Sequence, residues 1–234
     1  GNTSMKKYNL LFLLLFAVAA TLPAQTEKGS IHIKNATVIT ITKGVLENTD
    51  VVVTDGKITG IGKSLKTPKG ARVVDAAGQF VMPGIIDAHS HIALDAVNEG
   101  TNIVTAEVET GDVIDPLDVA IYRALAGGVT ATHAMHGSAN AIGGQCETIK
   151  LRYGTYDPEE LKMEGAPRTI KFALGENPMR VHGEGSGLHA RTRMGIEQVF
   201  RRAFSEARDY TAAQEDYNNK MAPETQPVPP THNH

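Results

Sequence analysis

The step Met82-Pro83-Gly84 divides the sequence into two kinds of pattern. Before it, short β-branched runs alternate apolar and polar residues. After it, more uniformly apolar runs alternate with helical periodicities. The first pattern suits a small sheet with one face to solvent; the second suits βα units around a parallel sheet covered on both faces. Directly behind the step, Ile85-Ile86-Asp87-Ala88 runs into His89-Ser90-His91. Strand side chains alternate with a period of two, so His89 and His91 point one way and Ser90 the other. Two imidazoles at a strand's carboxyl end form half of a metal site, in the place where such folds put chemistry. A bare His-x-His is also what two surface histidines look like, so the surrounding sequence has to decide.

In the front part, residues 30–40 and 48–53 read as strands and residues 54–57 as a tight turn. Residues 58–61 form a third strand and residues 71–74 a short fourth. Asp55-Gly56 suits a hairpin turn, because glycine takes positive φ at little cost. The expectation is a small antiparallel, β-sandwich-like sheet over residues 30–82. From Ile85 on, residues 115–126 predict a helix with Asp115 as its cap, Pro116 in its first turn and Gly127-Gly128 at its end. Residues 128–134, 145–151 and 169–174 predict three further strands of a parallel sheet. Ile196, Val199, Phe200, Ala203, Phe204, Ala207 and Tyr210 share one face of a later helix, which predicts a core-facing stripe.

Asp55-Gly56-Lys57-Ile58-Thr59-Gly60-Ile61-Gly62, Val73-Val74-Asp75-Ala76-Ala77-Gly78-Gln79 and Met82-Pro83-Gly84-Ile85-Ile86-Asp87-Ala88-His89-Ser90-His91 follow one another in this order. Together they resemble the opening of the amidohydrolase superfamily, and within it the secreted members related to imidazolonepropionase and the metal-dependent dipeptidases. The Ala-Gly-Gly-Val-Thr-Ala stretch at residues 126–131 is similar to that family's second barrel strand. The resemblance implies an α/β chain in which the small sheet is followed by the first half, about four βα units, of a TIM-type (β/α)8 barrel over residues 83–220. It implies metal-dependent hydrolysis of a small amide, cyclic or dipeptide, with one or two divalent ions, zinc in the usual case. His89 and His91 match its first pair of metal ligands. The general-base aspartate and the later histidines are expected beyond residue 234, since a closed barrel takes about 250 residues. On that expectation the stretch present is inactive alone, and its open edges favour pairing with another copy.

Lys171 is the candidate for the carboxylated lysine that bridges two metals in such sites. It stands in the apolar run Thr169-Ile170-Lys171-Phe172-Ala173-Leu174. An ammonium is costly to desolvate, and a neutral amine can add CO2 to become an anionic carbamate. The alternative is a lysine whose stem lies over the sheet while its head reaches water. Glu176 is the competing oxygen ligand. His136, Ser138 and Asn140, in a loop rich in glycine and small residues, are candidate substrate contacts, with a plain loop as the other reading. His182, Glu184 and His189 fall in a glycine-rich run that a lid would suit. Asp87 and Asp95 flank the histidines, and Asp87 reads as part of the strand end rather than as the base.

Composition excludes several classes. A net charge of −3 with no basic block past the N-terminus argues against nucleic-acid binding. Cys146 is the one cysteine, so there is no intrachain disulfide, and it reads as a small core residue. No phosphate-cradling loop and no Gly-x-Ser-x-Gly turn is present. Lys6-Lys7 before the apolar residues 10–20 predicts a signal peptide within residues 1–25 and export to the periplasm or exterior. That run is too short for a stable membrane span, which needs about 20 residues. Residues 221–234 are Pro-rich and read as irregular, and His232 and His234 there carry no assignment. The competing function is an exported, non-catalytic binding module, or a cropped sequence that retains half of the fold.

Overall fold

The computed structural model describes residues 29–184 and 190–221. The signal segment, His189, His232 and His234 lie outside them. The chain falls into two compact units that divide between Pro83 and Gly84.

In the first unit, β1 (Ile31–Ile39), β2 (Val45–Thr54), β3 (Lys57–Gly62), β4 (Arg72–Asp75) and β5 (Phe80–Val81) form one sheet in the order β3-β2-β1-β4, with β5 also on β1. The β2–β3 turn is made by Asp55 at φ 50° and Gly56 at φ 74°, the pair of positive angles that a two-residue hairpin of matching twist requires. Ala36, Val38, Val51 and Ala76 form the core. The sheet is mixed, not antiparallel as expected, since β4 and β5 both run parallel to β1. Strand positions were legible from the alternation, but the direction of β4 depends on the crossover at residues 63–71.

That crossover is fastened by buried polar groups. Asp50 accepts backbone N–H bonds from Asn35 and Leu65, each at 3.0 Å. Asn35 sits at φ 60° where the β1–β2 register shifts. His32, 0% exposed, places Nδ1 2.7 Å from Thr67 Oγ1 and Nε2 3.3 Å from the Asp50 carboxylate. Burial works against ionisation of Asp50, but the two N–H donors and the His32 ring outweigh it and hold its pKa below the usual carboxylate value.

The second unit has β6 (Ile85–Ser90), β7 (Val129–Ala134), β8 (Ile142–Lys150) and β9 (Thr169–Phe172) in the sheet order β6-β7-β8-β9. Its helices are α1 (Val119–Ala126), α2 (Glu176–Gly183) and α3 (Arg193–Met221). β6 and β7 are parallel and joined through α1, a true βαβ crossover. β8 runs antiparallel to both β7 and β9, where the sequence predicted a wholly parallel sheet of βα units. Residues 135–141 are too few for a parallel crossover, which takes a dozen or more, so the chain returns as a hairpin.

α1 starts three residues later than the sequence suggested. Asp118, not Asp115, is its cap, accepting from Ala120 N–H at 2.8 Å, and its other carboxylate oxygen accepts from Ala93 N–H. Asp115 instead closes a turn onto Leu117 N–H. Ile121, Ala134, Ile149, Leu151 and Leu161 form the core between α1 and the sheet. α3 buries Ile196 and Val199 against Ile103 and Ala141. The expected stripe thins beyond Val199: Phe200 and Phe204 meet the Phe172 ring at 5.6 and 6.3 Å between centroids, yet Phe204 is 54% exposed and Tyr210 71%.

Candidate functional site

β6 ends in an irregularity. Its pairing with β7 skips between Asp87 and Ser90, and Asp87 Oδ1 accepts from the His89 backbone N–H at 3.1 Å. A local break of this kind re-aims the side chains next to it. Asp87 thereby shapes the strand end, the role that the sequence suggested. Ser90 is buried, while the His89 and His91 rings lie 5.3 Å apart between centroids with planes at 82°. His91 Nδ1 is 2.7 Å from the Met135 carbonyl oxygen. A carbonyl only accepts, so Nδ1 donates; in the neutral ring that leaves the lone pair on Nε2, the arrangement that prepares an imidazole to bind a metal.

Lys171 on β9 is 6% exposed. Its Nζ stands 3.2 Å from His89 Nε2, and among the described residues no carboxylate pairs with it. A buried lysine facing an imidazole instead of a carboxylate bears an uncompensated desolvation cost, a mark of sites rather than of scaffolding. Sequence reasoning named His89, His91 and Lys171 separately; the fold brings His89 and Lys171 into contact from strands 82 positions apart.

His133 on β7, three positions before His136, is a residue to which sequence reasoning gave no role. Its Nδ1 is 3.0 Å from Thr148 Oγ1 and its Nε2 2.8 Å from Thr169 Oγ1, so it ties β8 and β9 together two positions before Lys171. Burial holds its pKa below the ordinary histidine value; the Glu147 carboxylate opposes this and the nearby His89 adds to it. The available signal was its place at the carboxyl end of the strand beside β6.

The other candidates are dispersed. Glu176 is exposed at the start of α2 and pairs with Arg180 at 3.1 Å. His136 is buried, its Nε2 accepting from Glu99 N–H at 2.8 Å and its Nδ1 donating to the Gly137 carbonyl. Asn140 is buried too, and its Nδ2 donates to the Glu99 and Asn102 carbonyls and to Thr105 Oγ1. Both residues build the loop wall. Ser138 differs: it lines an open cleft of about 590 Å3 together with His91, Asn98, Asn177, Arg180 and Glu184. Of the run suggested as a lid, Val181 and His182 belong to α2, Gly183 ends it and Glu184 caps it.

A divalent metal is partly matched by this donor set. His91 is oriented as a ligand, His89 stands beside it, and Lys171 would add oxygen donors as a carbamate. Among the described residues, no group of three His, Cys, Asp or Glu side chains is placed to share an ion.

No protein-family model matches the chain. A solved amidohydrolase from Thermotoga maritima superposes with a TM-score of 0.73 at 39% identity, over 85% of this chain and 52% of that one. The amidohydrolase tasK of Hapsidospora irregularis is 36% identical over 188 residues, 72% of this chain and 19% of its own length. The chain belongs to the amidohydrolase superfamily. A dihydroorotase from Trichlorobacter lovleyi is 30% identical over 152 residues, 65% of this chain and 31% of the relative. This superfamily chain thus spans about a fifth to about a half of the relatives it matches. The β6-β7-β8-β9 sheet is its part of the barrel fold.

Proposed function

We propose that the chain carries part of the ion-binding side of a metal-dependent hydrolase that cleaves an amide C–N bond in a small molecule, a cyclic amide or a dipeptide. The observation that carries this reading is the buried Lys171 amine 3.2 Å from His89 Nε2, with His91 presented on the same strand end. Relatives named amidohydrolase and dihydroorotase support a C–N substrate. His89 and His91 would hold one ion. Once it has given up its ammonium proton, the Lys171 amine would attack CO2, forming an N–C bond while one C=O electron pair moves to oxygen and the nitrogen releases a further proton. The resulting carbamate would offer oxygens to a second ion. Zinc, held by these residues, would supply electrophilic activation of the amide carbonyl and lower the pKa of water. Asp87 keeps the bulge that aims His89, and the Met135 carbonyl fixes the His91 tautomer. Lys6-Lys7 and the apolar residues 10–20 support export.

A non-catalytic binding module is the second reading, favoured because no third His, Cys, Asp or Glu joins the pair among the described residues. Elemental analysis after dialysis against zinc in bicarbonate buffer tests the site. The wild-type chain should retain zinc, and the double variant His89→Asn/His91→Asn should not; equal retention by both would sink the assignment. Hydrolysis of a panel of cyclic amides and dipeptides by a version extended through eight barrel strands then separates enzyme from module, since the stretch present is expected to be inactive alone.

A further inference from the structure

We propose that the cleft beside His91 is a carboxylate subsite anchored by Arg180, so that the amide hydrolysed here carries one carboxylate. This rests on the hydrolase reading above and names its substrate class. At about 590 Å3 the cleft has the size of a small-ligand site. Arg180 is the only guanidinium or ammonium among the described residues that line it. It uses Nη1 on Glu176, one helical turn away, in an exposed pair of little worth. Its Nη2 and Nε have no other partner among the described residues, so the fork that grips a carboxylate through two parallel bonds is available.

The opposite wall is rich in donors. Asn98 Oδ1 accepts from Ala139 N–H at 3.1 Å, which leaves its Nδ2 as the free end. Gly137 makes this approach possible: a Cβ there would lie 2.2 Å from Asn98 Oδ1 and 2.5 Å from Nδ2. The Ser138 hydroxyl and the Asn177 amide line the same space. Glu184, the C-cap of α2 one turn beyond Arg180, also lines it. A single carboxylate can pair with Arg180, whereas a second one on the same molecule meets Glu184 and is repelled. Because the cleft is bounded by His91, a carboxylate held by Arg180 would lead the neighbouring amide toward the histidine pair.

Equilibrium binding to the full chain tests this without turnover. The probes are N-acetylglycine, its neutral counterpart N-acetylglycinamide and the dianion N-acetylaspartate, titrated by ligand-observed NMR. Wild type should bind N-acetylglycine at least about tenfold more tightly than the carboxamide, since each charge-assisted pair outweighs a neutral one. Arg180→Gln, an exposed helical change, should erase that preference and leave carboxamide binding unchanged, while Arg180→Lys should restore only part of it. Glu184→Gln should improve N-acetylaspartate alone. No preference in wild type, no binding of either probe, or a preference that survives Arg180→Gln would each overturn the subsite. The zinc measurement on the His89 and His91 variants fails independently of these titrations, so the two readings are separable.

Discussion

Replacing Lys171 by Met should make the metal-free chain more stable while lowering its zinc uptake. Met keeps an unbranched stem of similar length and puts a thioether where the ammonium was. The loss is the single bond to His89 Nε2, worth about 0.5–1.5 kcal/mol. The gain is the desolvation cost of a buried polar head with no carboxylate partner, about 1–3 kcal/mol. The balance is a net stabilisation of about 1 kcal/mol. For a unit the size of residues 84–234, that raises the melting midpoint by about 2–4 °C. The assay is thermal unfolding by circular dichroism in EDTA at pH 7, beside zinc uptake in bicarbonate. An upward midpoint with reduced zinc uptake is expected. A fall of several degrees in EDTA would refute the reasoning, because it would mean that the amine is well compensated and that Lys171 belongs to the scaffold.

Asp50→Ala strips the Asn35 and Leu65 N–H groups of their acceptor and should cost about 2–4 kcal/mol at pH 7 by urea unfolding. The Asp50 pKa is lowered on folding, so its contribution is present above the ordinary carboxylate value and lost as pH falls through the folded one; the wild-type advantage should shrink below about pH 3.8. Ile149→Ala opens a cavity at a fully buried position and should cost about 2–5 kcal/mol, read from the same urea curves. His133→Ala releases both Thr148 and Thr169, so amide hydrogen exchange should quicken on β9 while the first unit is unchanged. Equal exchange on β9 in variant and wild type would assign His133 no part in holding Lys171.

Elements with a local signature were legible in the sequence. Asp55-Gly56 marked the hairpin, Gly127-Gly128 the end of α1 and Ile85–Ser90 the strand that aims the histidines. Strand direction was not: β4 takes its own from a crossover that Asp50 fastens through Leu65, and β8 takes its own from the short return at residues 135–141. Lys171 stood out because a charge interrupts an apolar run. His133 did not, because two threonines on other strands give it meaning and no spacing along the chain announces them. His136 and Asn140 looked like ligand contacts because polar side chains among glycines do; the backbone groups of residues 99–102 that they satisfy come from about 40 positions upstream.

The reversal of β8 has a consequence for how such a site diversifies. Because the chain turns back at residues 135–141, the rim of the cleft is furnished by a short hairpin bend rather than by a long connection with a helix of its own. Exchanging Gly137, Ser138 or Ala139 would resculpt the entrance while β6, which carries His89 and ends one residue before His91, and β9, which carries Lys171, keep their framework. Appetite and chemistry are therefore written on different strands, and descent can edit one without erasing the other.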